Sequence, residues 1–142
     1  MKNRARITVT SQMVGDDGSI EKVELVTEGM VYLKDGTTYI SYDECAVTGM
    51  EGTKTLIKLT PGKIVISRFG NLKTQMIFVE GQQSVSYYDT QYGGFDVAIN
   101  TLEAKVLIRD KYIHIQILYE IDFNGASTGQ NNLVVEVQEL DV

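Results

Sequence analysis

Apolar and polar residues alternate with a period of two along nearly the whole chain, and no stretch keeps a helical period beyond a turn or two. A strand puts successive side chains on opposite faces, whereas an amphipathic helix needs apolar residues three and four apart, so this pattern restricts the chain to sheet. The run YIHIQILYEIDF, residues 112–123, is the clearest case, with Ile113, Ile115, Ile117, Tyr119, Ile121 and Phe123 all on one side. It is expected to cross the core. Residues 4–14 set Ala5, Ile7, Val9 and Met13 against Arg4, Arg6, Thr8 and Thr10. After the turn cluster GDDGS, a second strand groups Val23, Leu25, Thr27, Gly29, Val31 and Leu33. Gly29, inside so long a strand, is read as a bend or bulge. In TTYISYDE, Thr38, Ile40, Tyr42 and Glu44 share a face, and further strands are expected at about 83–89, 94–108, 112–123 and 132–140. Within 94–108 the apolar phase slips from Phe95, Val97 and Ile99 to Leu102, Ala104, Val106 and Ile108, which places a bulge or bend near Thr101.

The stretch TKTLIKLTPGKIVISRFGNLK, residues 53–73, reads as a hairpin and the start of a third strand. With Pro61 and Gly62 as the loop, Thr60 pairs with Lys63, and one face then carries Leu59 with Ile64, Ile57 with Ile66, and Thr55 with Arg68. A following three-residue loop, GNL, sets Thr74 opposite Arg68, Met76 opposite Ile66 and Phe78 opposite Ile64; this register buries more apolar area than a two-residue loop would. Arg68 therefore points into the core. About nine or ten strands joined by short turns indicate meander connections in a sandwich or a closed barrel, and long strands with glycines or bulges favour closure.

The chain, 142 residues long, is read as one domain over residues 1–142. A net charge of −6 argues against a nucleic-acid partner, because such binding draws on clustered Lys and Arg. The start, MKNRARITVT, alternates like a strand and lacks the apolar core of a signal peptide, and no stretch approaches the roughly 20 apolar residues of a membrane helix. Cys45, the one cysteine, has no partner for an internal disulfide. The expected location is the cytoplasm, without membrane contact.

The ordered segments YISYDE, GTKTLIKLTPGKIVISRFG, MIFVEG, YGGFDVAINT, IHIQILYEIDF and NNLVVEV resemble the YwiB-like family, a bacterial domain-of-unknown-function family, over roughly residues 5–138. The resemblance implies a single antiparallel, mostly up-and-down, lipocalin-like (calycin-type) β-barrel of about 8–10 strands, with no established activity and no assigned residue roles. In the wider superfamily such barrels often hold small apolar ligands inside.

An inward guanidinium cannot shed its charge and needs a carboxylate, carbonyls, water or an anionic ligand around it. Arg68 is thus half of an ion pair that closes the barrel mouth, with Glu44, Glu51 or Glu103 in reach, or the anchor of a ligand, or simply exposed at the barrel rim. In the second reading Thr55, Tyr42, Glu44, Met76, Phe78, Tyr92 and Tyr119 complete the candidate site, the tyrosines offering an apolar ring with a polar tip. Tyr92 lies in YDTQYGG, residues 88–94, read as a tight turn or as a lid. Catalytic signatures are lacking. His114, the one histidine, faces away from the isoleucine row, a single His and Cys build no thiolate- or imidazole-rich zinc site, and SIEK on a strand lacks the helical geometry of a Ser-x-x-Lys motif. GDDGS has no calcium-loop spacing. The chain is read as a non-enzyme without cofactor or metal that binds a small apolar or acidic ligand; the alternative is a packed barrel that docks a protein partner or a second copy of itself, and a third reading is a hydrolase or isomerase that uses an inward Tyr or Glu.

Overall fold

The computed structural model describes residues 2–48, 50–71, 73–90, 92–123 and 125–140. Among the described residues ten strands follow one another: β1 (Lys2–Val14), β2 (Ile20–Lys34), β3 (Thr37–Asp43), β4 (Thr53–Thr60), β5 (Lys63–Gly70), β6 (Lys73–Phe78), β7 (Gln83–Thr90), β8 (Gly93–Arg109), β9 (Tyr112–Phe123) and β10 (Ala126–Glu139). Each pairs antiparallel with its sequence neighbours, and β1 pairs with β10, from Ala5 opposite Glu139 to Val14 opposite Gln130, so the sheet closes into an up-and-down barrel. Closure leaves no terminal strand at the edge of the sheet, which a sandwich would keep. No helix among the described residues is long and apolar enough to cross a membrane.

The alternation translates directly into burial. Ile7, Ile40, Ile57, Ile66, Phe78, Ile115 and Ile117 are almost wholly inaccessible and fill the middle of the barrel. Both hairpin registers hold: Thr60 faces Lys63 across Pro61–Gly62, and Arg68, Ile66 and Ile64 face Thr74, Met76 and Phe78. The register of β8 against β9 shifts between Thr101 and Glu103, where the apolar phase slips. GDDGS closes as a turn, with Gly18 at φ 83° and the Gly15 N–H donating to the Ser19 carbonyl. Gly49, Leu72 and Gln91, in the TGMEG, GNL and YDTQYGG turns, lie outside the described residues.

Three expectations change. Gly29 is not a bulge, because the β1–β2 register runs unbroken through it, opposite Ala5. Its role is close approach: a Cβ there would meet the Ser41 carbonyl oxygen and Ile7 Cδ1. Strand β10 starts at Ala126 rather than near residue 132, since its polar first residues extend the β9 hairpin through a register shift between Ser127 and Gln130. Finally, Leu33, Val106 and Ile108 continue inward rows by parity yet are 64%, 41% and 56% exposed. They lie where the long strands β2 and β8 run out past their shorter neighbours.

Candidate functional site

Pairing register brings the polar inward residues into one line. Tyr42 on β3 faces Thr55 on β4, Thr55 faces Arg68 on β5, Arg68 faces Thr74 on β6, Thr74 faces Tyr88 on β7, and Tyr88 faces Phe95 on β8. One row deeper the same strands carry Ile40, Ile57, Ile66 and Met76, so the barrel interior changes from polar to apolar within two residues along each strand. From the far wall Tyr119, between Thr101 and Asn131, points into the same end, its ring edge-on to Phe78 at 5.0 Å.

Glu44, just past β3, is buried, with no cation within 4 Å among the described residues. Its two carboxylate oxygens accept hydrogen bonds from Thr48 Oγ1 and Thr55 Oγ1, each 3.1 Å. Arg4 pairs with Glu28, and His114 Nδ1 lies 3.9 Å from a Glu136 carboxylate oxygen; neither contact involves Arg68. The ion pair read as one way to hold an inward Arg68 is therefore not formed within 4 Å among the described residues, and hydroxyls solvate Glu44 in its place. The Arg68 Nε is buried with no hydrogen-bond partner, as are the hydroxyls of Thr74, Ser86 and Thr101 and the Asn131 amide nitrogen. Buried polar groups are normally paired, so several orphans in one half of a barrel mark a place where water or a ligand belongs.

Burial, reinforced by the Glu44 carboxylate, pushes the Tyr42 hydroxyl well above its ordinary range, while the Arg68 charge pulls it down. Burial raises Tyr88 as well, and raises Tyr119 from 10.0 to about 12, again with Arg68 opposing. One cation thus sits within electrostatic reach of three phenols that the interior keeps protonated.

Of the residues proposed from sequence, Arg68, Thr55, Tyr42, Glu44 and Tyr119 meet at this end. Met76 and Phe78 form the packed floor beneath them, and the Tyr88 hydroxyl reaches Met76 Sδ at 3.1 Å. Tyr92 stands apart, 84% exposed in the β7–β8 turn. The sequence reading had Thr74 opposite Arg68 but gave it no role, and it missed Ser86, Tyr88, Thr101 and Asn131 as members. Their places depend on the β6–β7 and β9–β10 registers, which no turn motif sets.

Two clefts, each about 430 Å3, open at the opposite end of the barrel. One is lined by Leu59, Pro61, Ile64, Val106 and Ile108, the other by Val31, Leu33, Ile113 and Val137 among others. Neither is lined by Arg68, Glu44 or Tyr119, and the packed isoleucine rows lie between them and the polar cluster.

The sequence is 26% identical over 136 residues to the uncharacterised β-barrel protein YwiB of Bacillus subtilis (strain 168), covering 95% of this chain and 94% of that one. The crystal structure of the B. subtilis ywiB protein superposes with a TM-score of 0.85 at 22% identity, over 99% of this chain and 94% of the other, a likeness of fold. The sequence also matches the family described as a domain of unknown function, DUF1934, over residues 7–135, in keeping with the resemblance read from its segments. The chain therefore belongs to the DUF1934 family of uncharacterised β-barrel proteins.

Proposed function

We propose that this barrel binds a small, partly apolar molecule through an anionic group, held at the polar end by Arg68. The observation that carries the reading is the buried Arg68 Nε without a partner, beside a Glu44 whose oxygens are occupied by Thr48 and Thr55. A carboxylate or phosphate oxygen placed there takes a charge-assisted bond from Nε and a further bond from the Thr74 hydroxyl, which otherwise has no partner. The rings of Tyr42, Tyr88 and Tyr119, over Met76 and Phe78, supply the apolar wall. The up-and-down closed barrel is also the architecture in which lipocalin-like proteins hold ligands, which supports the reading by analogy of fold.

The reading includes no catalytic step. A general acid or base works best with a pKa near the operating pH, and the three phenols are displaced upward, away from it. A cytoplasmic location is part of the proposal, supported by the single cysteine, which can form no internal disulfide.

The test compares native with denaturing mass for protein freshly purified from its own host, for the parent and for Arg68→Leu. The expected result is an extra mass on the parent that denaturation releases and that Arg68→Leu does not carry. In ligand-stripped protein Arg68→Leu should melt at or above the parent temperature, since no carboxylate is left stranded. A bare parent mass overturns the proposal, as does a stability loss in the stripped mutant of about 3–5 kcal/mol, the cost of breaking a buried ion pair.

A further inference from the structure

Beyond Thr101, β8 outruns β7. Thr101 still exchanges backbone bonds with Gly81 and Gln82, and the Ala104 N–H donates to the Glu80 carboxylate at 3.1 Å. Past that point β9 covers one side of β8 as far as Arg109, and among the described residues no strand pairs with 102–109 on the other. The open edge is roughly 25 Å long at the rise of a strand. Ala104 N–H points to the open side, and alternate residues repeat that direction, so Val106 and Ile108 present their N–H and C=O groups there too. The side chains of the same three residues line the cleft of about 430 Å3 whose opposite wall is Leu59, Pro61 and Ile64.

The edge sequence LEAKVLIR, 102–109, is complementary to itself. A ladder between two such edges forms only when residues that point outward face each other, and an axis through Ala104 would set Leu107 of the second copy against Thr101, whose backbone Gly81 and Gln82 already hold, which leaves two-fold axes through Lys105, Val106 or Leu107. The first sets Lys105 against Lys105, and the third sets Lys105 against Arg109; directly opposed like charges destabilise both. Centring on Val106 sets Glu103 opposite Arg109 twice and Lys105 opposite Leu107. On the cleft side it sets Val106 on Val106, and small Ala104 opposite large Ile108. We infer that the occupant of this edge is a second copy of the chain, paired antiparallel about Val106 in an isologous dimer. Each copy's Val106 and Ile108 then enter the apolar cleft of the other, and neither β8 keeps a bare edge.

The experiment is sedimentation equilibrium of the full chain, with circular dichroism to confirm that each variant is folded. The parent should sediment at twice its chain mass. Val106→Lys, which opposes two ammonium groups on the axis, should be monomeric with an unchanged spectrum. Glu103→Arg and Arg109→Glu should each weaken dimerisation roughly tenfold, as two like-charge pairs replace two salt links. The combined swap should restore it. A parent that stays monomeric at every concentration overturns the inference and leaves the cleft to a small molecule or a foreign strand. A dimer that survives Val106→Lys overturns it as well, by moving the contact to another face, and a combined swap that fails to restore the dimer overturns the register.

Discussion

At the scale of single residues, Arg68 and Tyr119 show how differently an inward polar group can be held. Arg68 keeps its charge and lacks a partner for Nε, whereas Tyr119 avoids ionising at all. The linkage that follows has a definite sign. The folded state holds Tyr119 at about 12 against 10.0 for a free phenol, so the unfolded chain loses its proton first. The associated stability is complete below pH 10 and is lost as pH rises toward 12. Denaturant titrations from pH 8 to 11.5 should show Tyr119→Phe losing less stability over that interval than the parent, by on the order of 2 kcal/mol. Equal slopes for the two proteins would mean that Tyr119 ionises freely in the barrel. Arg68 was legible as inward from a turn and a parity count, because Pro61–Gly62 sets the register of its hairpin. The unpartnered state of Nε was not legible, since it depends on Glu44 reaching Thr48 and Thr55, a matter of side-chain geometry between β3, β4 and the turn that joins them.

At the scale of elements, Gly29 on β2 and Thr101 on β8 behave differently. Both were read as places where a regular strand is interrupted. The phase slip at Thr101 is a true register shift, visible in the sequence because a bulge moves every later side chain to the other face. Gly29 leaves the register intact and is needed for room, which a one-dimensional pattern does not reveal. Its backbone is not in the left-handed region, so Gly29→Ala tests space alone. A methyl group aimed at the Ser41 carbonyl and Ile7 Cδ1 should cost about 1–3 kcal/mol, read as a lower urea midpoint with an unchanged slope. No loss would show that β2 and β3 can part at that point without cost. The exposure of Val106 and Ile108 follows the same logic: their parity is inward, but a side chain is buried only where a neighbouring strand or the far wall meets it.

At the scale of the whole molecule, closure of β1 on β10 brings the two ends of the meander together, with the Leu140 N–H donating to the Arg4 carbonyl at 2.9 Å. Chain continuity around the barrel is then interchangeable among its short turns. A circular permutant that joins Lys2 to Leu140 through a short Gly/Ser linker and opens the Asp35–Gly36 turn should keep the far-UV spectrum and a cooperative melt. Loss of folding would show that the β2–β3 turn organises the barrel beyond connecting two strands. The sequence by itself determined the strand content, the faces, two hairpin registers and the inward course of Arg68, because period-two alternation and turn chemistry are local. Closure was favoured by the long strands with glycines or bulges and implied by the family resemblance, and the pairing of β1 with β10 bears it out; only the tertiary structure decided which polar residues share an end, which of them go without partners, and where β8 is left bare. Those depend on pairings between strands far apart in sequence and on strands of unequal length, and no local pattern encodes either.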